Sequence, residues 1–281
     1  MTPPTLDQVL SGASALPTLP EVAHYIITSV DDDTSNADEL VTLLNTDPAI
    51  VARILSVANS SVFGLSSRVD SMREAILVLG LEEIRSITLA TAVVDRFDMK
   101  SANFDPRMLW RHSIGVATCA RIIAESNQFN AELAFTAGLL HDIGQLLLFA
   151  VAPKHFEEVL MRRQRLDEPI IAAEHAVFGF DHAVAGGELM KNWRLPAEIA
   201  EGILGHHDPE QGEFGEMGDL IHVAEVLSHA LDLGELPNNR VPDLSDLACA
   251  RMGIEWPAFS GKFAEIEARY DEILHALTLQ Q

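Results

Sequence analysis

The sequence has little cysteine and few basic residues for a chain of 281 residues. Its two cysteines, Cys119 and Cys249, form no Cys-x-x-Cys pair, so no disulfide framework is predicted and Cys119 is expected to be a small buried residue. Lys and Arg number 19 against 42 Asp and Glu, which gives a formal net charge of −23. This excess of negative charge argues against broad binding of nucleic acid or of an anionic membrane surface.

Long apolar runs are also lacking, and the first residues do not have a signal-peptide pattern. No stretch reaches the roughly 18 consecutive apolar residues that a membrane-spanning helix needs. The first residues, Met1–Asp7, have neither the cationic part nor the apolar part of a signal peptide. We therefore expect a cytoplasmic protein without a membrane partner.

Helical periodicity dominates what is present. Aromatic residues make up 6% of the chain, Leu, Ala, Ile, Val and Glu are abundant, and no segment alternates for long enough to predict a sheet. Asp47 followed by Pro48 is typical of a capped helix start, and Ser71 with Glu74 has the form of a capping box. The pattern predicts an all-α protein in which one apolar helix runs from about residue 131 to 150.

Two segments rich in turn-forming residues divide the chain, at Asp98–Pro106 and at Gly234–Pro242. We therefore predict an N-terminal helical part over residues 1–100, a second helical domain over 101–235 and a C-terminal helical extension over 236–281.

The histidines are concentrated in the second of these parts, because nine of the eleven lie between His112 and His229. His141-Asp142 interrupts the apolar stretch Ala137–Phe149, and His206-His207 closes the apolar segment Ile199–Gly205. Burying polar groups without partners costs several kcal/mol, and neutral imidazole is a good ligand for iron, zinc, manganese or copper. The pattern predicts a metal site formed by His112, His141, Asp142, His182, His206 and His207. The remaining histidines are interpreted as ordinary core or surface residues: His24, His155, His175, His222, His229 and His275.

At these residues the chain resembles the HD superfamily of metal-dependent phosphohydrolases, and from about residue 16 to 235 it resembles the HDOD branch. The first half of the pattern comprises Leu16-Pro-Thr-Leu-Pro20, Asp47-Pro48, Arg53–Ser60, Gly64, Ser71, Ala75-Ile76 and Leu79-Gly80. The second half comprises Trp110-Arg-His-Ser113, Gly138–Gly144 and His206-His207. The resemblance implies an N-terminal helical bundle packed on an HD-type helical domain.

The resemblance also implies a ligand set for one or two divalent ions of iron, manganese or zinc. One ion would be held by His112, His141 and Asp142 together with a late Asp, whose position Glu225 occupies here. The second would share Asp142 and add His182, His206 and His207. In an active relative, Asp142 would bridge the ions and a metal-bound hydroxide would attack phosphorus. Glu225 either ligates with its longer reach or is a solvent-facing helix charge.

Two departures weaken the expectation of catalysis. Gln145 stands where catalytic HD-GYP relatives usually carry Lys, and no Gly-Tyr-Pro follows His206-His207, so hydrolysis of a cyclic dinucleotide is not supported. We therefore predict first a regulatory HDOD protein that keeps its metal site and acts through a signalling partner protein or a small phosphorylated ligand. The alternatives are a metal-dependent phosphohydrolase acting on a nucleotide or other phosphoester, and a catalytically silent scaffold without functional metal.

Overall fold

The computed structural model describes residues 2–15, 19–28, 37–59, 68–96, 104–211, 214–234 and 239–278. Within these residues every regular element is helical, as the periodicity predicts. The N-terminal helices are α1 (Leu6–Ser11), α2 (Glu21–Thr28), α3 (Ala37–Leu44), α4 (Pro48–Ala58), α5 (Met72–Leu79) and α6 (Leu81–Arg96).

Eight further helices follow. They are α7 (Pro106–Asn127), α8 (Ala131–Leu140), α9 (Ile143–Val151), α10 (Pro153–Leu166), α11 (Ile170–Phe178), α12 (His182–Asn192), α13 (Ala197–Gly205) and α14 (Gly215–Ala230). Helix α7 packs along α8 and α14, and α13 packs against α8, α12 and α14. The chain ends with α15 (Asp246–Met252), α16 (Trp256–Phe259) and α17 (Phe263–Thr278), and α17 packs on α4, α6 and α7.

The helix starts follow the local sequence. The Asp47 carboxylate accepts hydrogen bonds from the first backbone N–H groups of α4, and Pro48 is its first residue, as predicted. The Ser71 hydroxyl accepts from the backbone N–H of Glu74 at 3.2 Å, which is one half of the predicted capping box. The other half differs, because the Glu74 carboxylate accepts from the N–H of Asp70 rather than of Ser71.

The single helix predicted over residues 131–150 is wrong in one important respect. Helix α8 ends at Leu140, α9 begins at Ile143, and His141-Asp142 forms the turn between them. The apolar residues on both sides of this break are typical of buried helix, so the local sequence does not indicate where α8 ends. With Asp142 at the N-cap of α9, His141 and Asp142 no longer lie on successive positions of one regular helix.

The same two helices explain the most apolar part of the sequence. Ala131–Val151 is long and apolar enough to cross a membrane by length and composition, but 83% of its most apolar window is buried inside the fold. Its apolar character is therefore that of a core element, with Phe135, Leu139 and Leu147 all buried.

The predicted domain boundaries fall next to residues 97–103 and 235–238, which lie outside the described part of the chain, as do residues 16–18, Ser60 and Gly64 of the HDOD-like pattern. One apolar core includes Ile26 of α2, Ile114 of α7 and Ile266 of α17. The division at residues 100 and 235 stays a prediction.

Candidate metal centre

The predicted ligands come from five places in the fold and meet at one cavity of about 730 Å³. Helix α7 carries His112, the α8–α9 turn carries His141 and Asp142, α12 begins with His182, and His206-His207 directly follow α13. Glu225 lies on α14. Six of the seven line the cavity directly: His112, Asp142, His182, His206, His207 and Glu225. The seventh, His141, is completely buried behind them.

Close packing of α7 on α8 brings the first two histidines together. A Cβ atom added to Gly138 would lie 2.7 Å from the Cα atom of Ala117, so a larger residue would push the two helices apart. With glycine there, the rings of His112 and His141 approach to 5.2 Å between centroids.

Two of the histidines have their protons placed by the backbone. The Nδ1 atom of His141 donates to the carbonyl oxygen of Gly138 at 2.8 Å, and Nδ1 of His206 donates to that of Ile203 at 2.6 Å. A carbonyl oxygen only accepts, so each neutral ring keeps its lone pair on Nε2. Both Nε2 atoms are buried without a hydrogen-bond partner among the described residues, and so is Nδ1 of His112. Three buried nitrogens in one region thus lack a hydrogen bond from the described part of the chain, and Nε2 of His141 lies 3.5 Å from the Asp142 carboxylate.

His182 is held by carboxylates on both sides of its ring. One oxygen of Glu174 accepts from Nδ1 at 2.6 Å and from the backbone N–H of His182 at 3.0 Å. On the other side, Nε2 lies 2.9 Å from Oδ1 of Asp142 and 2.9 Å from Nε2 of His207. The ring thus joins a buried carboxylate behind the site to the predicted ligands within it.

The two carboxylates shift the ionisation of this group. Burial lowers the pKa of His182, but the charges of Glu174 and Asp142 outweigh burial and hold that pKa well above its usual range. Burial acts in the opposite direction on Asp142, where the neighbouring His141 and His182 outweigh it and hold the carboxyl pKa well below its usual range. Asp142 is therefore an ionised carboxylate in the interior of the protein.

Glu225 is not the solvent-facing helix charge that the sequence left open, because it is only 7% exposed. Burial, followed by the nearby Asp142 carboxylate, raises its pKa to about 8. Donor atoms of Glu225 lie within 4.8 Å of those of His141 and His206. Glu225 is therefore largely protonated at neutral pH, and a cation bound between it and Asp142 would favour its ionised form.

Two further residues belong to this region, although the sequence pattern did not predict them as part of the site. Glu174 accepts a hydrogen bond from His182. The sequence feature that could have indicated this role is a single acidic residue within the largely apolar segment Ile170–Phe178. His229 was interpreted as ordinary, but its ring lies 4.6 Å from that of His112. The i, i+3, i+7 spacing of His222, Glu225 and His229 on α14 was the available signal, because it places all three on one helix face.

His222 behaves as an ordinary structural residue, as predicted. Its Nδ1 atom donates to the carbonyl oxygen of His206 at 2.8 Å, and its Nε2 atom accepts from the backbone N–H of Ser245 at 3.1 Å. Both ring nitrogens are therefore engaged by backbone, and His222 positions the end of α13 and the start of α15.

Replacing Glu174 with alanine is expected to weaken divalent-metal binding about 10- to 100-fold, the usual cost of removing a carboxylate that orients a ligating histidine. The physical reason is the loss of the acceptor that holds His182 by its ring and its backbone. Competition with a chromophoric chelator measures the effect. Exposed Glu188, which pairs with Lys191, provides the matched control as Glu188→Ala. Equal affinities of the two variants would show that Glu174 does not orient a ligand.

Comparison with known protein families finds one match over most of the chain. A family model described as the HDOD domain matches residues 16–209. An uncharacterised protein of Treponema pallidum is 24% identical over 233 residues, covering 81% of this chain and 44% of that protein. Ribonuclease Y of Geotalea uraniireducens is 28% identical over 151 residues, covering 52% of this chain and 24% of that enzyme. The chain thus spans less than half the length of these relatives.

Solved structures similar to this chain cover nearly all of it. An HDOD domain protein of unknown function from Geobacter sulfurreducens has a TM-score of 0.77 and 27% identity, covering 95% of this chain and 97% of that one. A protein from Shewanella amazonensis provisionally named a phosphohydrolase has a TM-score of 0.75, with 24% identity and coverage of 96% and 98%. At 24% identity, the similarity to the Shewanella protein supports the fold alone.

Proposed function

Because the chain belongs to the HDOD family, we propose that it is a regulatory member that keeps an HD-type centre for one or two divalent transition-metal ions and uses it to bind a small phosphorylated ligand. The observation that carries this proposal is that donor atoms of His112 and His141 lie within 4.8 Å of Asp142, and those of His141 and His206 within 4.8 Å of Glu225, while each of the three histidines has a buried nitrogen without a hydrogen-bond partner among the described residues. Burying polar nitrogens without a hydrogen bond costs free energy, and a bound cation would offset that cost.

The donor set fits iron, manganese or zinc. The rings of His141 and His206 donate Nδ1 protons to carbonyl oxygens, and Nδ1 of His182 donates to the Glu174 carboxylate. This is the orientation found in ligating histidines. The Nε2 atoms of His182 and His207 lie 2.9 Å apart, so both would be near enough to hold the same ion.

The residues divide into two groups around Asp142. His112, His141 and Asp142 form one group whose donor atoms lie within 4.8 Å of one another, and His182, His206 and His207 form another. In the proposal the first group with Glu225 holds one ion, and the second group with Asp142 holds the other. A bound pair of such ions supplies positive charge that lowers the pKa of a water molecule and attracts phosphoryl oxygens.

The rest of the cavity suits a small anionic ligand. Its volume of about 730 Å³ lies within the usual range for small-molecule sites. Arg163 of α10 and Arg240 line the cavity wall, together with Asp105 and Asp243. Gln145 also lines the cavity, and its amide can donate a hydrogen bond to a phosphate but supplies no charge.

The similarity to ribonuclease Y does not by itself extend the proposal to RNA. It covers 24% of that enzyme. Long nucleic acids are bound largely through several Lys or Arg contacts to phosphates, which a chain with a net charge of −23 is poorly suited to make. A mononucleotide or another small phosphoester is the better match.

Metal analysis of the purified protein tests the proposal. After incubation with Mn²⁺, Fe²⁺ or Zn²⁺ and desalting, we expect one or two ions per chain, and we expect Asp142→Ala to lose at least one of them. His24→Ala, which alters an exposed histidine on α2, serves as the control and should retain the wild-type content. Absence of metal from the wild-type protein under all three conditions would overturn the proposal.

A second candidate function, hydrolysis of a phosphoester, is favoured by the position of Asp142. Its carboxylate contacts His182 of one group while belonging to the other group, as expected for a carboxylate shared by two ions. A panel of phosphomonoesters, phosphodiesters and nucleotides with Mn²⁺ or Fe²⁺ should reveal turnover that His141→Ala abolishes. Turnover that survives this change would indicate a contaminating enzyme.

A further inference from the structure

His229 lies next to the proposed centre but is absent from the ligand set that the HDOD resemblance implies. Its ring centroid is 4.6 Å from that of His112. Donor atoms of His112, Glu225 and His229 all lie within 4.8 Å of one another. Two of these three, His112 and Glu225, are buried.

The hydrogen bonds of Asn239 determine which nitrogen of His229 carries the proton. The side-chain nitrogen of Asn239 donates to the carbonyl oxygen of His229 at 2.8 Å and to the carboxylate of Asp232 at 2.7 Å. Its side-chain oxygen must then accept from Nδ1 of His229, at 2.6 Å. The neutral ring keeps its lone pair on Nε2, as the rings of His141 and His206 do.

The longer side chain of Glu225 explains why a further ligand would be used here. Glutamate carries its carboxylate one methylene further from the backbone than the aspartate usual at this position. In this fold Glu225 approaches the pair His141 and His206 and also the pair His112 and His229. A donor atom of His112 lies within 4.8 Å of those of Glu225 and His229, so the three residues could hold one ion between them.

We propose that His229 is a metal ligand, and that it completes with His112 and Glu225 the ion site on the α7–α14 side of the cavity. This inference rests on the metal centre proposed above and adds a residue to it. Asn239 is then a positioning residue, because it orients the His229 ring without contacting the ion. It also precedes Arg240 on the cavity wall, where Arg240 is held by the Asp167 carboxylate at 2.8 Å.

Metal-binding measurements on His229→Ala, Asn239→Ala and the control His24→Ala test this inference. We expect His229→Ala to weaken binding of one ion at least tenfold in competition with a chromophoric chelator, and to change the absorption spectrum of the Co²⁺-loaded protein. Asn239→Ala should weaken binding of the same ion about tenfold. This is the lower end of the effect expected when a residue that orients a metal ligand is removed. His24→Ala should match the wild-type protein.

The outcomes separate this inference from the wider proposal. If the wild-type protein binds metal and Asp142→Ala loses it, while His229→Ala keeps the wild-type affinity and Co²⁺ spectrum, His229 is not a ligand. A wild-type protein that binds no metal would overturn the centre as a whole. His229→Gln, which keeps a polar side chain, provides the same comparison should the alanine variant unfold, with urea denaturation of both as the check on folding.

Discussion

Replacing Arg121 with methionine is expected to lower the free energy of unfolding by about 3 kcal/mol at neutral pH, because the change leaves the buried Glu83 and Glu132 without their main counter-charge. Arg121 is 2% exposed and joins α6, α7 and α8. Its guanidinium lies 2.7 Å from a carboxylate oxygen of Glu132 and 3.6 Å from one of Glu83, and it donates to the Ser86 hydroxyl.

The loss of unfolding free energy in Arg121→Met should become smaller as the pH falls. Burial raises the pKa of Glu83 and of Glu132 above the ordinary value of 4.5, and Arg121 opposes that rise. Without Arg121 both pKa values rise further, so ionised Glu83 and Glu132 destabilise the folded variant above those values. As the pH falls toward 4.5 the two carboxyls become protonated and the difference from wild type shrinks.

Urea denaturation at pH 7.5 and at pH 5 measures this difference. Lys191→Met is the matched control, because Lys191 forms an exposed pair with Glu188 and should change stability by less than about 1 kcal/mol. A deficit of the same size at both pH values would show that the loss of Arg121 acts through packing rather than through the carboxylates.

Replacing Gly144 with alanine is expected to lower the free energy of unfolding by about 2 to 3 kcal/mol and to weaken metal binding in the same variant. Gly144 lies on α9, two residues after Asp142, where α9 crosses the start of α12. A Cβ atom at this position would overlap the carbonyl oxygen of His182 and lie 2.7 Å from its carbonyl carbon and 2.9 Å from the backbone nitrogen of Gly186. These are backbone atoms, so relief requires the helices to separate.

Separation of α9 from α12 would lengthen the 2.9 Å contact between Asp142 and His182, which is why stability and metal affinity should fall together. Gly261→Ala is the control, since a Cβ atom there would meet no atom within 4 Å. Urea denaturation in the presence of a chelator and metal titration of the folded protein give the two quantities. A variant with lower stability but wild-type metal affinity would show that the close approach supports the core and not the site.

Much of the fold was predictable because helix starts and apolar periodicity are local properties. Asp47 with Pro48 predicted the start of α4, and Ser71 predicted the start of α5. The break at His141-Asp142 was missed, because Ala131–Val151 is apolar throughout and local signals do not distinguish one buried helix from two. The backbone approach at Gly144 that lies beside this break is a tertiary contact.

The candidate site divides in the same way. By itself, the sequence determined an all-α chain of HDOD pattern and the set of histidines and carboxylates with metal-ligand chemistry, because residue type and order suffice for both. Tertiary structure decided the burial of Glu225, the support of His182 by Glu174 and the approach of His229 to His112. Each of these features depends on contacts between different helices. Helix periodicity predicts that one face is buried, but it does not specify which neighbouring helix that face contacts.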